Sequence, residues 1–467
     1  MRTESLSAGP EAARPTDPGP VAGAEALPLS SSGDERMTRF RWVILALVFF
    51  GTTVNYVDRL VMGILAPDLQ RMYHISDVQY GYIQSAFALS YAFGQLIAGG
   101  WLDRVGTRIG YAVALAAWSV SSILHAFARG PLGFGIVRAM LGVSESPNFP
   151  AATKTLAEWF PKRERALAFG FVNAGTNMGA IIAPAVVPWL AANYGWEWAF
   201  FGTGSIGILW LLLWLPLYRR PHEHPRVSAA ELAHINSDPP EPTVKVSWVK
   251  LLTFPQAWAF GIGKFLTDSM WWFYMTWIPK FLHDRHGLDL LHVGVPLVTI
   301  YVMSDLGSIS GGWLSSAMIH RGSSVNRARK TALFVCALGV VPIMFAQQAS
   351  GLWTAVLILG LATASHQGFS SNLYTLVSDM FPKRAVASVA GLGGTCGYLG
   401  ASAFQIVVGY MVQKHQNYLV PFIAAGAAYL AAFAVIHALA PRLQPAIVDE
   451  SERGFDVIGP GDPSNHS

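Results

Sequence analysis

Gly99-Gly100-Trp101-Leu102-Asp103-Arg104-Val105-Gly106-Thr107-Arg108 is a charged stretch set between two long apolar runs, near 79–101 and 109–128. Each run can cross a roughly 30 Å hydrocarbon core as a helix, which takes about 20 residues. The opening of the stretch recurs as Gly311-Gly312-Trp313, 212 positions later. A second landmark, Phe160-Pro161-Lys162-Arg163, recurs as Phe381-Pro382-Lys383-Arg384, 221 positions later. Two independent landmarks with nearly the same offset, on the same side of the membrane, indicate a duplicated unit.

Ten further apolar runs complete the pattern, near 42–65, 131–152, 166–190, 197–218, 256–282, 292–318, 329–348, 352–377, 386–411 and 419–440. The expected fold is an all-α membrane protein, twelve transmembrane helices in two pseudo-symmetric six-helix halves. Composition agrees: of 467 residues, 13% are charged and 52% hydrophobic, against about 25% charged in a soluble domain. The expected divisions are a disordered cytosolic tail over 1–38, a first half over 39–218, a cytosolic linker over 219–255, a second half over 256–441 and a cytosolic tail over 442–467. The first 36 residues mix Pro, Gly, Ala and Ser with acids and Arg and lack the apolar core of a signal peptide. Gly175 and Gly179 in span five, and Gly393 and Gly397 in span eleven, stand at matched places and predict close helix approach.

The net charge of +4 is a topology signal rather than a mark of nucleic acid. With the N-terminus inside, alternate loops and the tail segments from Arg36 onward and up to Arg453 hold twenty-two Lys and Arg on the cytosolic side and five on the other. Both termini are therefore expected in the cytosol, in a multi-pass protein of the bacterial inner membrane. Cys336 and Cys396 lie in apolar runs and form no disulfide framework or metal spacing. Gly202-Thr203-Gly204-Ser205-Ile206-Gly207 matches a dinucleotide fingerprint but lies in an apolar helix with no strand before it. No Walker-type loop or zinc spacing occurs, so an enzyme is not expected, nor any cofactor beyond a proton as coupling ion.

A charge at membrane depth costs about 2.5–3.5 kcal/mol on insertion scales. Asp58 and Arg59 in span one, with Arg138 and Glu145 in span four, together carry a gross cost of about 10–14 kcal/mol. Arg138 and Glu145 are seven apart and share a helix face. These four form either structural ion pairs between helices or a transport site. In the second reading Arg59 grips a substrate carboxylate through its planar fork. Asp58 and Glu145 are then the protonatable groups, since burial opposes their charge and a nearby Arg favours it, with Arg138 tuning Glu145.

In the second half, Ser365-His366-Gln367-Gly368-Phe369-Ser370-Ser371-Asn372 is too polar for a lipid-facing helix and suits sugar hydroxyls. Span seven carries Trp271-Trp272-Phe273-Tyr274 and Trp277 ahead of Pro279; most are packing or belt aromatics, with Tyr274 expected to reach the cavity. Asp305 is either an ion-coupling or a gate-stabilising residue. Lys264 and Asp268, four apart, can pair without a substrate.

The 99–108 stretch resembles the signature loop between spans two and three of the major facilitator superfamily, and Gly311-Gly312-Trp313 its degenerate second copy. That resemblance implies gate contacts by Asp103, Arg104 and Arg108. Over 40–440 the chain is similar to the superfamily's anion:cation symporters. The resemblance is carried by Asn55-Tyr56-Val57-Asp58-Arg59, by Arg138 with Gly142, Glu145 and Pro147, and by Asn173-Ala174-Gly175-Thr176-Asn177. The stretches Phe265-Leu266-Thr267-Asp268, His366-Gln367 and Ser378-Asp379-Met380-Phe381-Pro382-Lys383-Arg384 resemble the hexuronate-transporter branch. Thr176 stands where some members carry Gln. The resemblance implies a sugar-acid site lined by Arg59 and Tyr91, with Asp58 and Glu145 taking protons.

The full candidate set is Tyr56, Arg59, Tyr91, Tyr274, His366, Gln367, Ser371 and Asn372 for substrate, Asp58, Glu145 and Arg138 for protons, and Asp103, Arg104 and Arg108 for the gate. The expected partners are a small organic anion and the lipid bilayer, with no nucleic acid, and the expected assembly is a monomer. The expected activity is proton-coupled import of a hexuronate such as glucuronate or galacturonate, or of an aldonate. An aromatic or dicarboxylic acid on the same fold is the alternative, followed by a non-transporting sensor.

Overall fold

The computed structural model describes residues 37–238, 248–381, 383–444 and 446. The disordered tail expected over 1–38 falls, as far as residue 36, outside that set, and so does most of the cytosolic tail expected over 442–467. Among the described residues the secondary structure is entirely helical.

Twelve rods of 19 to 33 residues account for the twelve expected spans. In the first half they are α1 (Phe40–Ile64), α3 (Asp77–Val105), α4 (Thr107–His125), α5 (Gly130–Glu145) with α6 (Asn148–Trp159), α7 (Lys162–Tyr194) and α8 (Trp196–Leu217). A short α2 (Ala66–Tyr73) follows α1. The fourth span is broken between α5 and α6 because Pro147 has no N–H to continue the ladder.

After α9 (Ala229–Ile235) and α10 (Trp248–Leu251), the second half holds α11 (Pro255–His286), α12 (Gly294–His320) and α13 (Val325–Val340). α13 runs on as a 3-10 helix, Val341–Gln348. The last three rods are α14 (Leu352–Met380), α15 (Lys383–His415) and α16 (Leu419–Leu439).

Among the described residues, seven helices are apolar enough to cross a membrane on length and composition alone. α5 falls short because the break at Pro147 leaves it 16 residues long, and α3, α11 and α14 carry interior polar groups, among them Gln84, Lys264, Asn372 and His366, buried like Arg138 and Glu145 of α5. The outer surface is the reverse: Leu132 is 77% exposed, Ile309 71% and Ile97 67%. Polar groups inside and large aliphatics outside are the arrangement lipid demands.

The glycine pairs make the close approaches expected of them. A Cβ at Gly175 would stand 2.7 Å from Phe49 O and one at Gly179 2.6 Å from Thr53 O, so α7 lies against α1. In the second half, Gly393 and Gly397 admit Phe260 and Asp268 of α11 against α15. Span five therefore seats on span one as span eleven seats on span seven.

Across the halves, α3 runs antiparallel to α15, α7 meets α12 and α1 meets α11. This seam is tight at the end that carries Asp77. Lys280 Nζ lies 3.2 Å from Asp77 and 2.5 Å from Asp284, Ser85 Oγ lies 2.7 Å from Ser402 Oγ, and Tyr80 Oη donates to Thr276 O at 2.9 Å. A Cβ at Gly81, Gly409 or Gly294 would sit 2.6–2.7 Å from backbone oxygen of the opposite half. At the other end, around Asp103, a Cβ at Gly99, Gly100, Gly170 or Gly312 would meet nothing within 4 Å. The halves are thus closed together at the Asp77 end and separate toward the Asp103 end.

The segment expected to be a plain linker is partly folded onto the first half. Ser228 caps α9, and the fully buried Glu231 accepts from Thr38 Oγ1, Phe40 N, Arg41 N and Arg41 Nη1 at 2.6–3.1 Å. α1 has no side-chain cap of its own, so this carboxylate supplies acceptors for two of its orphan N–H groups.

Candidate functional site

Arg59 is the centre of the site. It is 3% exposed on α1, and the break after Glu145 ends α5 opposite it. Its Nε and Nη2 donate to Glu145 Oε2 at 3.0 and 2.8 Å, and Nη2 also donates to Asn55 Oδ1 at 3.1 Å. Four rings stand around the guanidinium: Tyr56 at 4.7 Å, Tyr91 at 5.2 Å, Trp272 at 5.3 Å and Phe87 at 5.5 Å. Aromatic faces are where a desolvated cation is stabilised. Trp272 belongs to the second half, so the cage spans the interface.

Arg138, fully buried, donates from Nη2 to Arg59 O and to Gln84 Oε1, both at 3.0 Å. The shared face of Arg138 and Glu145 therefore holds Arg59 at backbone and side chain. Glu145 Oε1 is buried with no hydrogen-bond partner among the described residues.

Asp58, one residue from Arg59 and so about 100° around α1, faces away from the cage. It accepts from Ser122 Oγ of α4 at 2.9 Å, and its Oδ2 is buried without a partner among the described residues. The two acids lie on different sides of α1.

The second-half candidates divide by face. His366 stacks on Trp271 at 4.7 Å and 8°, and its Nδ1 lies 2.6 Å from Tyr429 Oη. Gln367 and Ser371 are half-buried and share a stripe of α14 with Tyr374, whose ring lies 4.6 Å from Lys264 Nζ. Ser371 Oγ bonds its own helix at Gly368 O. Asn372 donates to Gly311 O and Gly368 O at 2.8 and 2.9 Å, tying α14 to α12 rather than facing Arg59. Tyr274, expected to reach the cavity, instead packs beside Phe273 in the second-half core and is 1% exposed. It lies two residues, about 200°, around α11 from Trp272, and it is Trp272 that meets Arg59.

Of the gate set, Asp103 pairs with Lys154 of α6 at 2.9 Å and Arg108 donates to Leu215 O at 2.6 Å; Arg104 is exposed. Asp305 is half-buried on α12. No grouping of three or more His, Cys, Asp or Glu among the described residues could hold a metal.

Trp272, Phe87 and Tyr398 were not among the expected site residues. Phe87 lies four before Tyr91, on the same helix face. Tyr398 follows Gly397 and stacks on Tyr91 at 4.1 Å. The Gly393 and Gly397 spacing on α15 marked its seat on α11, not the approach of Tyr398 to α3.

Residues 48–405 match the Major Facilitator Superfamily. The chain belongs to that superfamily. A D-galactonate transporter of Escherichia coli O6:H1 is 31% identical over 414 residues, covering 86% of this chain and 94% of the relative. A hexuronate transporter of E. coli K12 is 33% identical over 378 residues, covering 79% and 87%. The resemblance to anion:cation symporters read from 55–59, 138–147 and 173–177, and to their hexuronate branch read from 265–268, 366–367 and 378–384, is thus matched by the relatives found over most of the chain. Among solved structures, a bacterial homologue of the human lysosomal transporter Spinster, in an inward-facing and occupied conformation, superimposes with a TM-score of 0.68 at 18% identity, covering 86% of this chain and 96% of that one. The major facilitator fold follows, and with it a membrane transporter rather than an enzyme.

Proposed function

We propose that this protein imports a sugar-acid anion, a hexuronate such as glucuronate or galacturonate or an aldonate, in symport with protons. The observation that carries the reading is the doubly bonded Arg59–Glu145 pair, caged by rings from both halves. Glu145 occupies the guanidinium edge that a substrate carboxylate needs. A proton on Glu145 removes that competitor and leaves a buried cation, which a planar carboxylate satisfies. Proton and anion therefore load together, because either alone leaves a buried charge without its partner. Arg138, bonded to the Arg59 carbonyl, holds the guanidinium in place during the exchange. Asp58, on the far side of α1, is the second proton carrier. The cage rings offer apolar faces to the sugar, and Gln367 and Ser371 offer hydroxyl partners.

The loops at the Asp103 end carry the excess of Lys and Arg, so that end is cytosolic. The state described here is then open to the cytosol. The return to the outside parts Asp77 from Lys280 and Ser85 from Ser402, and closes α3 on α15 at the opposite end. Supporting the substrate class are the two sugar-acid transporters similar to this chain over most of their lengths.

The test is counterflow of radiolabelled glucuronate and galacturonate in proteoliposomes, with and without an inward proton gradient. Exchange plus gradient-stimulated accumulation is the expected result. Folded protein that exchanges neither sugar acid would reject the reading.

A further inference from the structure

Beyond the Arg59 cage lies a second polar cluster that the transport cycle described above does not use. Trp272, Asp268 and Lys264 follow one another at four-residue intervals on one face of α11, each step rising about 6 Å. Trp272 stands against Arg59. One turn on, Asp268 lies where a Cβ at Gly397 would collide with its carboxylate, so the acid sits in a notch beside Tyr398. Tyr398 in turn stacks on Tyr91 of the cage. A further turn on, Lys264 Nζ pairs with Asp268 Oδ2 at 2.7 Å and covers the ring of Tyr374 at 4.6 Å. Tyr374 is 45% exposed. The stripe therefore leads from the carboxylate-binding cation toward the open end, and stops at a salt bridge of zero net charge.

Resting on the sugar-acid reading, we infer that the Lys264–Asp268 pair reads the end of the substrate remote from Arg59. Its neutrality selects a sugar acid with one carboxylate over one with two. A hydroxyl terminus can donate to Asp268, and a hydroxyl or carbonyl oxygen can accept from Lys264, with the pair intact. A second carboxylate has to compete with Asp268 for Lys264 and stands against a like charge. A pair that only braces α11 would treat all substrates alike.

Two variants of opposite sign separate these cases. Asp268→Asn leaves Lys264 as an uncompensated cation, and Lys264→Gln leaves Asp268 as an uncompensated anion. The assay is counterflow of labelled glucuronate by the full chain in proteoliposomes, with unlabelled glucuronate or glucarate as competitor. Glucarate carries a second carboxylate at the end where glucuronate carries its carbonyl. The expected result is a shift of the glucarate-to-glucuronate preference of about tenfold toward glucarate in Asp268→Asn, the size of one charged hydrogen bond. Lys264→Gln shifts it the other way. Asp268→Ser takes the place of the asparagine variant if that fails to fold. Two variants that move both competitors equally, or in the same direction, overturn the inference. A wild-type protein that exchanges no sugar acid overturns the function proposed above instead.

Discussion

Gly81→Ala is expected to force open the seam at the Asp77 end. The added Cβ would lie 2.6 Å from Gln405 O and 3.3 Å from the Cα of Gly409. Both are backbone atoms that no rotamer change can move, so α3 and α15 have to part by roughly an ångström to restore van der Waals distance. Overpacking of this kind costs about 1–3 kcal/mol. Because the clash exists only while the halves are closed here, the cost falls on that state alone and moves the closed-to-open ratio by about 5- to 150-fold. The reporter is Ser85→Cys, at a residue 5% exposed and 2.7 Å from Ser402 across the seam. Cys336→Ser and Cys396→Ser remove the native thiols. A membrane-impermeant maleimide added to intact cells should label the introduced thiol faster in the Gly81→Ala background by a factor in that range. Gly100→Ala is the control, since its Cβ meets nothing within 4 Å, and should leave the rate unchanged. Labelling of the Gly81→Ala protein at the parent rate would refute the closed-seam account.

Three further outcomes follow from the site and its supports. Arg59→Lys should lower uptake kcat/KM by about 10- to 150-fold in proteoliposomes, because a point charge cannot reproduce two parallel bonds to one carboxylate; near-normal uptake removes Arg59 from the substrate. Glu145→Gln should retain counterflow and lose accumulation driven by a proton gradient, and gradient-driven uptake at the parent level ends its coupling role. Glu231→Ala should cost about 3 kcal/mol or more, read as a lowered Tm of the detergent-solubilised protein. It strips Phe40 N, Arg41 N and the Arg41 guanidinium of a fully buried partner.

The rods and the duplicated landmarks were legible because each rests on a strong local signal, apolar length and a repeated loop. The clustering of charges at the centre of the candidate site was legible for a related reason. Four charges at membrane depth need partners, and Arg59, Arg138 and Glu145 found one another. The neighbouring aromatics were less legible. Trp271, Trp272, Phe273 and Tyr274 are four large rings in a row, all suited to burial, so no periodicity says which one faces the cavity. The face is set by how α11 packs on α1 and α15, and that choice gave the cage Trp272 and the core Tyr274. Asn372 was read as a hydroxyl partner because it is polar. Its amide NH2 is taken by the Gly311 carbonyl, an acceptor from another helix that no local pattern announces, while Oδ1 has no partner among the described residues.

The Glu231 clamp ties the start of the first membrane helix to a carboxylate about 190 residues downstream. During synthesis, α1 therefore enters the bilayer with its leading N–H groups facing headgroups and water, and they are closed off only after five more spans have been made. A first half cut at residue 218 lacks its own closing piece. A separable unit has to reach past Asp238, whose carboxylate accepts from Lys162 N at 2.6 Å at the start of α7. What looks like a tether between two bundles is, over its first twenty residues, the last part of the first bundle to arrive.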